Sequence, residues 1–348
     1  APVPMPTLQQ NAELIVIASV TNIVSGKGGV QSIQLQVART LQGNPPGLLV
    51  TAVLPPPMDP QFTFPNGVLT RDAIGQSGIW FLTQSAAGYQ VMPLTHGTYY
   101  TNLDIYVPVS GTTLEGVPVQ GTTNQQLLSY LVRSYIDIPN PCDSSDDLVQ
   151  TSLLKSAPQD AMAALGPLLL SKFPLCRVFG LATAIVLGSD SAISSVAVDI
   201  SNLAATRKFP LIIGAIKRYE PHGDSSIPVL KGLIGLNSGA VGIEGAVASA
   251  LAKIDSRSVV PVMVTLLDSS EPEAVSRAAT FFGFYTMFAD SKGDLNVARN
   301  GTILGPLTNS DTKQYTPGWS GLVLPSTQYA QFWKSWWSKN RHSLNFPD

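Results

Sequence analysis

The side chains able to do chemistry are few and scattered. Only three histidines occur, His96, His222 and His342, and none belongs to a recognisable catalytic motif. Cys142 and Cys176 lack Cys-x-x-Cys spacing, His222-Gly-Asp224 offers at most two ligands, and no His-x-x-x-His pair exists. A zinc centre therefore has no support in the sequence. Gly26-Lys-Gly-Gly29 has the look of a phosphate loop, but Thr21 stands where the first glycine belongs and no Ser or Thr follows the lysine. A β-turn is the expectation there. Gly75-Gln-Ser-Gly78 and Trp319-Ser-Gly321 are fragments of a nucleophile elbow that never complete Gly-x-Ser-x-Gly, and they read as turns. Asp143-Ser-Ser-Asp-Asp147 could offer oxygens to calcium, yet without EF-hand spacing it reads better as helix capping. Glu271-Pro-Glu273 reads as a negative first turn favoured by the helix dipole. These residues predict no catalytic, cofactor-binding or metal site, and a chain that is not an enzyme.

Two groups carry other expectations. The cysteines either form one disulfide, as an oxidising compartment would allow, or stay as two buried thiols. Tyr329, Phe332, Trp333, Trp336 and Trp337 recur at i, i+3 and i+4, so a helix would align them along one side. That helix either caps the open end of a helical array or anchors a partner, since Trp and Tyr are enriched in binding hot spots.

The elements that must hold these residues change character along the 348-residue chain, a length that suits two domains. Leu14–Val20, Ile33–Val37 and Leu48–Leu54 are β-branched or alternating runs, each followed by Gly, Asn or Pro. Ile79–Thr83 and Tyr89–Met92 flank a turn ending in Gly88 and predict a hairpin. A further pair is expected through Asp104–Val109 and Val117–Val119, confined to sheet edges by Pro108 and Pro118. From about residue 120 the period becomes helical, beginning with Asn124–Tyr135, then a helix capped by Asp146 or Asp147 and another from Asp160 through Leu170. The expected domains are 1–118, all β, and 119–340, all helical.

The β region, through Glu13–Val20, Gln34–Gly43 and Gly78–Leu82, resembles the small OB-type barrels of netrin and tissue-inhibitor modules. It lacks the disulfide framework of those modules, so their protease-inhibiting role does not carry over. The helical region contains two superimposable windows, Ser226–Leu233 and Val259–Leu266, with Pro228 and Pro261 in equivalent places. Each precedes an alanine-rich helix, Gly245–Leu251 or Arg277–Phe282. The second unit resembles a HEAT repeat, and degenerate copies lie upstream in Arg177–Leu187, Ser191–Leu203 and Phe209–Tyr219. The resemblance spans about 165–290. It implies that the proline bends the first helix, that Asp268 closes the turn and that Arg277 starts the second helix. Gly245 departs from the family, which often carries a basic residue there. The fold expected is an OB-like barrel followed by an α-α superhelix of HEAT-like repeats.

Charged residues make up only 13% of the chain against 44% hydrophobic ones, and the net charge is -2. Without a basic run there is no electrostatic grip for nucleic acid or anionic lipid. No stretch of about 18 apolar residues occurs, so no membrane span is expected. The opening Ala-Pro-Val-Pro-Met-Pro suits an exported, periplasmic or secreted chain whose signal peptide has been removed. The function expected is a scaffold that binds a protein partner at the cell envelope or exterior. The alternative is a ligand carrier or enzyme with a pocket between the β domain and the helical repeats.

Overall fold

The computed structural model describes residues 2–26, 30–55, 69, 71–86, 88–94, 105–111, 114, 117, 120–143, 147–236, 241–254, 256, 258–291, 330–331, 333–335, 337–338 and 341. The chain divides into two compact units, Ala1–Gly180 and Leu181–Asp348. Strand gives way to helix near residue 120, as the sequence suggests, but the first helices after that point belong with the barrel.

In the first unit the strands are β1 (Leu14–Ser25), β2 (Gln31–Gln42), β3 (Leu49–Val53), β4 (Ser77–Ser85), β5 (Gly88–Val91) and the two-residue β6 (Val107–Pro108). The order is β1-β2-β3-β5-β4, and an antiparallel β1–β4 pairing closes the ring into a five-stranded barrel. Closure removes the strand edges that would otherwise invite aggregation. Pro108 lies in β6, a short edge paired only with Gly78 and Ile79 of β4, where a missing N–H is tolerated. The partner strand expected at Val117–Val119 falls largely outside the described residues.

Leu14, Val16, Ala18 and Val20 of β1 point inward with Ile33, Leu35, Val50, Trp80 and Leu82. Ile15 and Ile17, on the other face, are equally buried, as are their cross-strand partners Phe81 and Ile79. A helix layer covers that face, which is why β1 reads as a continuous apolar run rather than an alternating one. The layer consists of α1 (Met5–Asn11) and α2 (Thr123–Ile136), followed by α3 (Asp147–Lys155), α4 (Pro158–Ala164) and α5 (Gly166–Leu169). α1 follows a proline-rich start that carries no helical period, and its Met5 N–H donates to the buried Ser152 Oγ of α3 at 3.1 Å.

The helix expected from Asp160 through Leu170 is instead two short pieces. Gly166-Pro167 opens the second piece, because proline is tolerated only in a first turn. Thr122 and Gln125 form a capping box at the start of α2. Gly78 lies against Tyr106, where an added Cβ would come within 2.2 Å of the ring, and Trp80 stacks on that ring at 4.7 Å.

The second unit begins within α6 (Pro174–Val186) and continues as α7 (Asp190–Ala204), α8 (Pro210–Arg218), α9 (Ile227–Lys231), α10 (Ile243–Leu251), α11 (Val259–Leu266) and α12 (Pro272–Ser291). The first repeat window is only partly α-helical: a 3-10 turn at Gly223–Ser226 leads into the five-residue α9. Pro228 and Pro261 both fall in first turns, where the N–H has no intrahelical partner, so neither has the bending role implied by the family. α10 neighbours α8 on one side and α12 on the other, while α9 packs against α7.

Candidate functional site

α10 is the hub of the second unit, and its composition explains why. Ile243, Gly245, Ala246, Val247, Ala248, Ala250 and Leu251 are all buried, so small side chains let helices close in from several directions. Gly242, in the left-handed region at φ 95°, turns the chain into the helix and offers no side-chain cap. The neighbouring segment supplies the cap. Glu271, just ahead of α12, accepts from Gly242 N at 2.8 Å through Oε1 and from Gly245 N at 3.0 Å through Oε2. A carboxylate at the positive end of a helix satisfies two orphan donors at once. Glu273 lies in the first turn of α12, as the Glu271-Pro-Glu273 reading expects, and the Glu271 carbonyl accepts from Val275 N at 3.2 Å, but the Glu271 carboxylate caps the start of the helix beside it.

Gly245 has a matching role. A Cβ there would lie 3.0 Å from Cβ and Cγ of Glu273. The missing side chain lets Glu273 cross to Lys217 on α8, 2.7 Å away, with Arg277 one turn along at 3.7 Å. The hydrogen bond from Lys217 holds the Glu273 carboxyl below its ordinary value of 4.5, burial opposing the shift and the nearby positive charges adding to it. In the other direction, Glu244 of α10 accepts from Gly235 N at 2.8 Å and from Ser269 Oγ in the α11–α12 turn. α8, α10 and α12 are thus tied by reciprocal carboxylate contacts, and Arg218, Ser276, Arg277 and Thr280 stand exposed on the two outer helices.

The helices of this row run the same way. Ile213 of α8 lies beside Gly242 at the start of α10, and Lys253, just past the end of α10, donates to the Tyr219 carbonyl just past the end of α8 at 2.8 Å. Gly245 and Glu273, each near the start of its helix, are also neighbours.

A polar cluster lies at the start of α7. Asp190 Oδ1 accepts from the Tyr219 hydroxyl and from Ser226 Oγ, the latter at 3.3 Å, and the two hydroxyls are 2.8 Å apart. Burial, with the Asp190 hydrogen bond next, pushes the Tyr219 hydroxyl up to about 12, the Ser226 bond opposing. Although Ser, His and Asp meet here, they are not wired as a nucleophile with its base. His222 gives its main-chain N–H to Ser226 Oγ at 2.9 Å, while its ring Nε2 is 2.8 Å from the Gly188 carbonyl. That carbonyl only accepts, so Nε2 carries the proton. Tyr219 and Ser226 are fully buried, and the cluster fastens the start of α7 to the chain leaving α8.

The other residues singled out in the sequence are placed as follows. Cys142 and Cys176 form a disulfide, with Cα atoms 5.0 Å apart, that links the segment after α2 to the first turn of α6. Both are buried, and the Tyr135 hydroxyl donates to the Cys142 carbonyl at 3.1 Å. Trp333 is buried and stacks on Phe282 of α12 at 5.6 Å, so this tryptophan packs within its own unit. Its neighbour Lys334 pairs with Asp268, and Trp337 is half-buried. Tyr329, Phe332, Trp336, His96, His342 and Ser144–Asp146 lie outside the described residues. Among the described residues no three His, Cys, Asp or Glu side chains gather as metal ligands, and no helix is long and apolar enough to cross a membrane. Comparison with protein-family models, curated proteins and solved structures found no match.

Proposed function

We propose that this chain is a non-catalytic scaffold of the cell envelope or exterior that binds a protein partner along its helical unit. The observation that carries the reading is the row of α8, α10 and α12: three helices running in one direction, each beside the next but one in sequence, with α7 and α9 packed together. Alternate helices side by side are what stacked helical pairs of the HEAT type produce, and such arrays present extended surfaces for partners. The strand order, with β3 and β5 parallel, supports an OB-type assignment for the barrel. One disulfide fits an oxidising compartment and so supports export.

Photo-crosslinking side chains placed at Ser276 and Thr280 of α12, in cells of the source organism, test the reading. The expected result is one protein captured at both positions, whose purified form binds the wild-type chain and loses affinity for an Arg277→Glu variant. Purified candidates that bind both chains equally, or capture of no protein at either position, would sink it.

A further inference from the structure

We propose that β1 carries an open strand edge beyond the barrel seam, at which two copies of this chain pair as antiparallel strands about a two-fold axis at Val24. The seam between β1 and β4 covers Leu14–Ser19, and Val20 adds one pair of bonds to the Gly75 and Gln76 backbone. β1 runs on to Ser25, and over Asn22–Ser25 its ladder partner is β2. Among the described residues nothing pairs with its other side.

The ladder fixes which groups face that side. Gly26 N donates to the Val30 carbonyl at 2.7 Å, so residue 26 faces β2 and Ser25 faces away. Gln31, the partner of Ser25, agrees with this: its carbonyl turns to β3 and accepts from Leu54 N at 2.9 Å. Alternate residues of an antiparallel strand send both N–H and C=O to the same side. The N–H and C=O of Ile23 and of Ser25 therefore face outward together. Ile23 turns its side chain to the barrel core, so Val24 stands on the outer surface, 50% exposed and diagonal to Val30, which is also 50% exposed.

The occupant follows from symmetry. An axis at Val24 sets Ile23 opposite Ser25 of the second copy and Ser25 opposite its Ile23, so every outward N–H and C=O of both strands is paired. Val24 then meets its own copy in a non-hydrogen-bonded position, where side chains come closest and β-branched residues pair well. At a two-fold axis like meets like, which a charged edge resists. Val20–Gly26 holds no charged residue and no proline, the means by which edges are commonly blunted. So short an edge buries less than a standard interface, and the dimer is weak and reversible.

Sedimentation velocity of the full chain from about 5 to about 500 µM should show monomer passing to dimer as concentration rises. Ser25→Pro deletes an N–H that the barrel does not use, so it should leave the circular dichroism spectrum unchanged and weaken the dimer by about tenfold or more. Cysteine variants report the register under oxidised glutathione. Val24→Cys puts the two Cα atoms about 4.5 Å apart and should give a disulfide-linked dimer, whereas in Asn22→Cys, on the same strand, they lie about 14 Å apart and should not. Equal cross-linking of the two cysteine variants, or a dimer as tight in Ser25→Pro as in the wild type, overturns the proposal. So does a chain that stays monomeric throughout, which would leave the edge to an extended segment of another protein.

Discussion

Replacing Glu271 by alanine removes both acceptors that serve the start of α10, the Oε1 bond from Gly242 N at 2.8 Å and the Oε2 bond from Gly245 N at 3.0 Å. A helix cap contributes about 1 kcal/mol, and a hydrogen bond to a charged group contributes about 1.5–3 kcal/mol net, the two figures overlapping here because the bonds are the cap. Glu271 is half-buried and the α10 residues around it are buried, so water replaces the lost acceptor poorly. We expect Glu271→Ala to lower the stability of the helical unit by about 2–3 kcal/mol. Glu271→Gln keeps one acceptor oxygen but no charge, and should lose about half of that. The assay is urea denaturation followed by far-ultraviolet circular dichroism, fitted with separate transitions for the two units. A change below about 0.5 kcal/mol in Glu271→Ala would refute the reasoning, because an uncapped buried helix start cannot be that cheap.

Other outcomes follow from the same structure. Replacing Cys142 and Cys176 together by serine opens a loop with a sequence separation of 34 residues. The chain-entropy model predicts a loss of about 4 kcal/mol from the barrel-bearing unit, read by the fluorescence of the buried Trp80 during denaturation. Because Lys217 depresses the Glu273 carboxyl, its contribution is fully present above the ordinary value of 4.5 and is lost as pH falls through the lower folded value. Acid titration of stability should therefore show a component that vanishes in Lys217→Met. Tyr219 titrates at about 12 when folded against 10.0 ordinarily, so its contribution holds below pH 10.0 and is lost as pH rises through the folded value. Absorbance titration near 295 nm should show a tyrosine lagging the exposed ones, and Tyr219→Phe should remove that lagging step.

The barrel was the most legible part of the sequence, because β-branched runs separated by Gly and Pro carry a local signal. Its helical cover was less so: α1 sits in a proline-rich start, and the burial of Ile15 and Ile17 on a second face depends on helices more than a hundred residues away. The hairpin, the helix at Asn124–Tyr135 and the alanine-rich α10 were readable for the same local reason. The contacts that organise the candidate surface were not. Nothing about Glu271 in sequence says that it starts a helix 26 residues upstream, and Gly245, which breaks the family pattern, becomes intelligible only when Glu273 is seen lying against it. The open edge of β1 likewise depends on where its pairing with β4 stops rather than on any residue of its own. Short elements such as α5 and α9 arise where proline and glycine interrupt an otherwise helical period.

The most direct measurement is the affinity of the captured partner for the wild-type chain and for the Arg277→Glu, Thr280→Arg double variant, by isothermal titration calorimetry. Both residues are exposed on α12, where Arg277 makes a solvent-exposed ion pair with Glu273 at 3.7 Å, while Lys217 holds Glu273 at 2.7 Å. The account predicts an unchanged circular dichroism spectrum and an affinity lowered by about tenfold or more. Equal affinity for the two chains would contradict the claim that this helical row is the binding surface.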